Sequence, residues 1–398
     1  MQKWHKGFIL NLIEWYDFAV FSSFVGIFGK IICSQNSVNY QIFYGFILMA
    51  MGFLSRPLGA LYFGYISDTQ NREFAVIETL YIMTIGTICL AITPTYNFIG
   101  LFSILWFSIC RFVQGFALGG NYGSVSVWLI NNLNKNLNFY MSCNQVGFVS
   151  GILLGEIVVA IFKSYSSEFF FTNYAWRLCL LLSSIPSIYI LQQSGKSVKI
   201  TTSKFIDSIS SVYKSEAYIY IKNNPLKILQ CISIISLDMV GFYMWFIYIP
   251  QHNWSSNGDI FKLNILHKLL LCLFLPICGV ITDKISNHIM LRCVAISFII
   301  MSIFTPWNSF YFSIISAIIM AGCYSSMMVW IVKQFPSNIQ SRVTGLIINL
   351  TALFCGSLTP IISSYFTIQF QSNISLGIII GITGILALLS LSKKKLVS

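Results

Sequence analysis

Charge is what this chain lacks. Asp, Glu, Lys and Arg make up 9% of its 398 residues, against about 25% in an average globular protein. Only 12 residues are acidic. Hydrophobic residues are 56% of the chain and the mean hydropathy is +0.75. A soluble fold of this length would have too little polar surface to cover itself, so a soluble domain is excluded. Catalytic motifs are missing too. There is no Walker A loop, no G-x-S-x-G and no H-E-x-x-H, so neither an ATP-driven pump nor an enzyme is expected, and no catalytic residue is assigned. The 11 cysteines include no C-x-x-C and no Cys/His cluster. Neither a metal site nor a disulfide framework is indicated, and the thiols read as small buried apolar groups. No cofactor is expected.

Long apolar runs are what the chain has instead. About 20 apolar residues cross a bilayer as a helix. Twelve such segments are expected, at approximately 8–30, 41–63, 75–93, 98–130, 139–162, 176–191, 227–250, 260–282, 289–306, 309–333, 342–366 and 374–392. These runs are apolar on all sides and too long for the alternating strands of a barrel. The first has a basic flank but carries two acids and no A-x-A-like cleavage site, so it is expected to stay as helix 1. The predicted fold is all-α and membrane-spanning.

The net charge of +12 reports orientation rather than nucleic-acid binding. With the N-terminus inside, 17 Lys and Arg residues fall at cytoplasmic ends and loops, 5 fall outside, and Arg56 and Arg111 lie within helices. The positive-inside rule then places both termini in the cytoplasm. The polar stretch 194–226, with five lysines before Lys227, reads as a cytoplasmic linker. It separates a six-helix half, 1–193, from a second, 227–398.

The halves repeat a signal. Gly64-x-x-x-Asp68 closes the second span of the first half, and Gly279-x-x-x-Asp283 closes the second span of the second. Such parallel halves are a secondary-transporter plan, rocking about a central site. Asp68 is expected either as a helix cap or as a gate latch, with Arg56 and Arg72 in the same run.

Ionisable groups inside the spans carry the functional argument, because a carboxylate in hydrocarbon costs several kcal/mol. Glu14 and Asp17 lie in Gly7–Phe28, about 60° apart on one helical face. Arg111, Gln114 and Asn121 form one stripe on the fourth span, beside a small-residue stripe of Gly115, Gly119 and Gly123. A buried guanidinium needs a carboxylate or an anionic ligand, and Glu14 and Asp17 are the expected partners. In the second half the expected site residues are Asp238, Tyr243 and Asn349. Tyr243, Trp245 and Phe246 are either core aromatics or a cage for a quaternary ammonium. Glu78 and Glu156 fit either a membrane face or a cavity. The histidines at 5, 252, 267 and 288 read as solvated or interfacial. Lys268 is counted among the outer-side cations.

Asn11-Leu-Ile-Glu-Trp-Tyr-Asp-Phe18 resembles the helix 1 signature of the metabolite:proton symporter family, within the major facilitator superfamily. Arg56-Pro-Leu-Gly59…Gly64…Asp68, Arg111-x-x-Gln-Gly…Gly119-Gly120, Tyr243-x-x-Phe246-x-Tyr-x-Pro250 and Asn349…Gly356…Pro360 are similar to that family's helices 2, 4, 7 and 11. The resemblance implies a monomeric transporter of the bacterial inner membrane, with the bilayer and a small-molecule substrate as its partners. It also implies proton coupling and a proline/betaine-type zwitterion or small carboxylate as substrate. Two departures stand out. Asn121 occupies a position where the family usually has Glu, and the segment after Asp68 lacks two of the usual basic residues and a glycine. They are what favours the rival expectation, a non-transporting or degenerate sensor of the same fold.

Overall fold

The structure is a computed structural model, and residues 3–32, 38–69, 72–94, 96–194, 216–249, 258–304, 310–370 and 374–392 are described. Most of the expected linker, at 195–215, lies outside the described residues, as do His252 and the side chain of His5.

All regular structure among the described residues is helical. The first unit contains α1 (Lys3–Ser23), α2 (Val25–Ile32), α3 (Val38–Thr69), α4 (Arg72–Ala91), most of α5 (Leu101–Asn132) and α6 (Leu137–Tyr165), and α7 (Trp176–Ser194). The second contains α8 (Glu216–Asn223), α9 (Pro225–Phe242), α10 (Gly258–Ile285), α11 (Asn287–Phe304), α12 (Phe310–Val332), α13 (Gln340–Thr351), α14 (Leu358–Phe370) and α15 (Ile374–Ser392). Contacts assign Met1–Trp128 and Gly147–Lys214 to the first unit, and Leu129–Val146 and Ser215–Ser398 to the second. Three π-helical turns, Phe171–Ala175, Tyr243–Tyr248 and Ala352–Gly356, join helical pieces into longer passages.

Nine passages among the described residues are long and apolar enough to cross a membrane. They match the third to the eleventh expected segments. α1, α3 and α15 occupy the places of the other three. The exposed surface agrees with a hydrocarbon solvent. On α5, Phe102, Leu105, Trp106 and Ile109 are exposed, while Ser103, Phe107, Cys110, Arg111 and Gln114 are buried. An outward apolar stripe around a polar-containing interior is the reverse of a soluble helix.

Small residues set the helix approaches in the first unit. A methyl added at Gly115 or Gly119 would land in the α3 backbone at Gly52 or Arg56. One at Gly147 or Gly151 would land in the α1 backbone at Phe8 or Leu12. The glycine stripes of α5 and α6 therefore bring whole backbones together, as small-x-x-x-small faces do in membranes. Between them they fix α1, α3, α5 and α6, the frame that carries the buried charges. Above that layer, Phe28 meets Phe107 at 4.9 Å and Trp176 at 5.3 Å between ring centres.

Candidate functional site

Every expected site residue on α1 and α5 is buried. Glu14 and Asp17 are each 4% exposed, Arg111 6%, Gln114 2% and Asn121 7%. Asp17 is held by two hydroxyls from other helices. Thr87 of α4 donates to Oδ2 at 2.6 Å, and Ser183 of α7 donates to Oδ1. Gln114 Nε2 donates to the Thr87 hydroxyl at 2.8 Å, and Arg111 donates to Gln114 Oε1 at 2.9 Å. The result is a continuous chain from Ser183 through Asp17, Thr87 and Gln114 to Arg111.

That chain refines the expected partnership. Arg111 acts on Asp17 by charge, but the bonded path between them runs through Gln114 and Thr87. The guanidinium lies over the Phe21 ring, 3.6 Å from its centre, a cation–π contact that helps offset its burial. Glu14 takes a hydrogen bond from Asn121 Nδ2 and feels the charge of Arg56, whose guanidinium sits 4.1 Å from the Phe53 ring centre. Asn121, the residue that departs from the family pattern, thus supports a carboxylate on α1. Two buried carboxylates, buried Arg111 and half-buried Arg56 thus interact by charge within this unit. Glu78 is buried in the same unit and accepts from the Tyr62 hydroxyl at 3.2 Å. Glu156 is half-buried on α6.

In the second unit Asp238 is 3% exposed and accepts from the Tyr324 hydroxyl of α12. Tyr243 packs against Gly356, where an added methyl would come within 2.8 Å of its ring. Asn349 donates to Gly345 O at 2.7 Å. Tyr243, Trp245 and Phe246 are buried, and Tyr243 and Phe246 both meet Phe242, at 5.3 and 5.8 Å between ring centres. Trp245 meets Phe298 and Phe312 at 4.8 and 6.2 Å, and Phe246 stacks on His267 at 4.0 Å.

One sequence expectation is corrected here. His267 is 4% exposed, stacked on Phe246 and paired with Ser316, so its imidazole is not solvated. Lys268 on the same helix is 1% exposed.

The repeated loop signal has a defined geometry in its second copy. Asp283 Oδ1 accepts from Asn138 N at 3.0 Å and Asn138 Nδ2 at 2.9 Å, and Oδ2 accepts from Phe139 N at 3.0 Å. These backbone groups are orphan donors in the first turn of α6. The carboxylate caps them from another helix and meets the positive end of the α6 dipole. Asn287 secures Asn138 with amide bonds of 3.0 Å in both directions. Gly279 permits the approach: an added Cβ would stand 2.8 Å from Phe139 Cα and 2.9 Å from Asn138 O. In the first copy, Gly64 is buried near the end of α3, Asp68 and Arg72 are half-buried, and Arg72 opens α4.

Ionisable groups buried in one unit of a helical membrane protein, and a carboxylate-capped loop in the other, are features of secondary transporters. The family described as "Sugar (and other) transporter" matches residues 8–193. The proline/betaine transporter of Escherichia coli K12 is 25% identical over 388 residues, covering 91% of this chain and 77% of that one. The citrate-proton symporter of Klebsiella pneumoniae is 23% identical, covering 89% and 82%. A solved proton:xylose symporter has the same fold, with a TM-score of 0.79 at 15% identity, covering 98% of this chain and 95% of that one. The chain has the major facilitator fold and is similar to proline/betaine transporters.

Proposed function

We propose that this protein carries a small carboxylate or a proline/betaine-type zwitterion together with a proton across the bacterial inner membrane, with both termini in the cytoplasm. The observation that carries the reading is the group of buried Glu14, Asp17 and Arg111 with half-buried Arg56 acting on Glu14 by charge. With both carboxylates ionised, these four groups sum to zero charge. Protonating either carboxylate leaves these four groups with a net positive charge, which burial makes costly. An arriving carboxylate cancels that charge. Proton and anion are then each more stable in the presence of the other, which is the thermodynamic content of symport.

The chain through Gln114 and Thr87 makes Asp17 responsive to α4, α5 and α7 at once. A motion that parts those helices removes hydrogen bonds from the carboxylate and changes its hold on a proton. That is a route from protonation to conformation. The Asp283 cap on α6 supplies a contact that is made and broken as a unit. The names of the proline/betaine transporter and the citrate-proton symporter support the substrate class, and the 17 to 5 distribution of Lys and Arg supports the orientation.

The test is uptake by the purified protein in proteoliposomes. L-proline, glycine betaine and citrate are offered with the outside made more acidic. Accumulation of at least one above its outside concentration is expected. Equal failure of all three, with and without the gradient, would reject the reading.

A further inference from the structure

Asp17 takes its two hydroxyl bonds from two different helices, Thr87 on α4 and Ser183 on α7. Both hydroxyls reach one carboxylate only while α4 and α7 keep their spacing. A second contact between those helices lies close by. Arg177, in the first turn of α7, donates from a single Nη1 to Ala91 O at 2.8 Å and to Thr93 O at 2.6 Å. Thr87 stands one turn before Ala91 on α4. Ser183 follows Arg177 on α7 by about 9 Å along the helix axis.

The chemistry of the contact is that of a staple. Ala91 ends α4, and its carbonyl is among those a helix leaves without an internal partner. A cation there also meets the negative pole of the helix dipole. The guanidinium lies over the ring of buried Trp176, 4.1 Å from its centre, so a buried ring fixes one side of the fork and two carbonyls fix its tip. Tyr16, the neighbour of Asp17, donates to Cys179 O of α7 at 3.0 Å. α7 is thus tied to α4 at Arg177 and to α1 at Cys179, both within two turns of Ser183. α5 reaches the same end of α4 separately, through Trp106 Nε1 to Cys89 O at 3.1 Å. Charge acts on Asp17 from Arg111 of α5 and from Glu14 and Tyr16 on its own helix, whereas α4 and α7 contribute the hydroxyls.

We propose that Arg177 is a positioning residue for proton coupling: by stapling α4 to α7 it keeps Thr87 and Ser183 together on Asp17. The inference rests on the transport reading above and adds a residue that acts on the proton site through other groups. Its own bonds go to Ala91 and Thr93. A parting of the two helices by about 1 Å takes a hydroxyl out of hydrogen-bond range, and the hold of the carboxylate on a proton changes with it.

The experiment measures gradient-driven accumulation and counterflow, each per folded protein, for L-proline, glycine betaine and citrate. It compares wild type with Arg177→Met, Arg177→Lys, Ser183→Ala and Trp106→Phe. For the substrate that wild type accumulates, Arg177→Met should lower accumulation roughly tenfold and counterflow by less than about threefold, and Ser183→Ala should do the same. Arg177→Lys, which keeps a charged donor, should recover about half of the accumulation or more. Combining Arg177→Met with Ser183→Ala should be no worse than either alone, because both act on one carboxylate. Trp106→Phe, which removes a bond from the same end of α4 but none from α7, should keep both rates. A structural role for Arg177 would lower the yield of folded protein and leave the ratio of the two rates at its wild-type value, and that result overturns the proposal. So does an equal loss of coupling in Trp106→Phe. If Arg177→Met does not fold, Arg177→Gln, shorter and uncharged, decides: a wild-type ratio in it overturns the staple. Failure of wild type to accumulate any of the three instead rejects the transport reading, and the positioning role with it.

Discussion

Replacing Thr87 by valine keeps the shape of the side chain and removes one hydroxyl. That hydroxyl stands between Gln114 Nε2 at 2.8 Å and Asp17 Oδ2 at 2.6 Å. The bond to Asp17 joins a neutral donor to an ionisable acceptor, the kind worth about 1.5–3 kcal/mol net. The bond from Gln114 is neutral on both sides and worth about 1 kcal/mol. Neither group finds water in this interior, since Asp17 and Gln114 are 4% and 2% exposed. The loss should therefore fall near the sum, about 2.5–4 kcal/mol, with Ser183 still holding Asp17 and Arg111 still holding Gln114. Thr87→Ser, which keeps the hydroxyl, should cost less than half as much. The assay pairs thermal unfolding in detergent with proteoliposome uptake. Thr87→Val should unfold several degrees earlier and lose most gradient-driven accumulation, with Thr87→Ser close to wild type. A Thr87→Val protein matching wild type in both would refute the claim that the Arg111–Asp17 connection runs through this hydroxyl.

Other outcomes follow from the same geometry. Arg111→Gln should leave the Asp17 charge unbalanced and abolish uptake, with a stability loss of about 3–5 kcal/mol, read by the same two assays. Asp283→Ala should uncap the first turn of α6 at a cost of about 1–2 kcal/mol and raise the labelling rate of a cysteine placed at Phe139, whereas Asp283→Asn, which keeps acceptors, should raise it less. Gly119→Leu should give no monodisperse folded protein on size exclusion, because its side chain would occupy the α3 backbone at Arg56. A cysteine at position 208 on a Cys-less background should resist impermeant reagents in intact cells, and labelling from outside would reverse the proposed orientation.

What the sequence made legible was what the bilayer makes costly. Glu14, Asp17 and Arg111 stood out because charge in an apolar run demands a reason, and all three are buried in one unit. The glycine stripes were legible for the same reason: repeated small residues have no other use on a membrane helix, and those at Gly115 and Gly119 do meet α3. Thr87 and Ser183 were not legible. Hydroxyls are common in membrane helices, and their roles depend on partners 70 and 166 residues away. His267 was read as solvated because position within an apolar run does not reveal which face of a helix is turned inward.

The central claim is that protonation on α1 drives accumulation, and the most direct measurement sets accumulation against counterflow for wild type and Asp17→Asn in one proteoliposome preparation. An imposed pH gradient drives the first, and substrate exchange at equal pH drives the second. The expected result is that wild type accumulates L-proline, glycine betaine or citrate, while Asp17→Asn loses accumulation and still exchanges the same substrate. Accumulation by Asp17→Asn at the wild-type level, or a wild type indifferent to the gradient, would contradict the account.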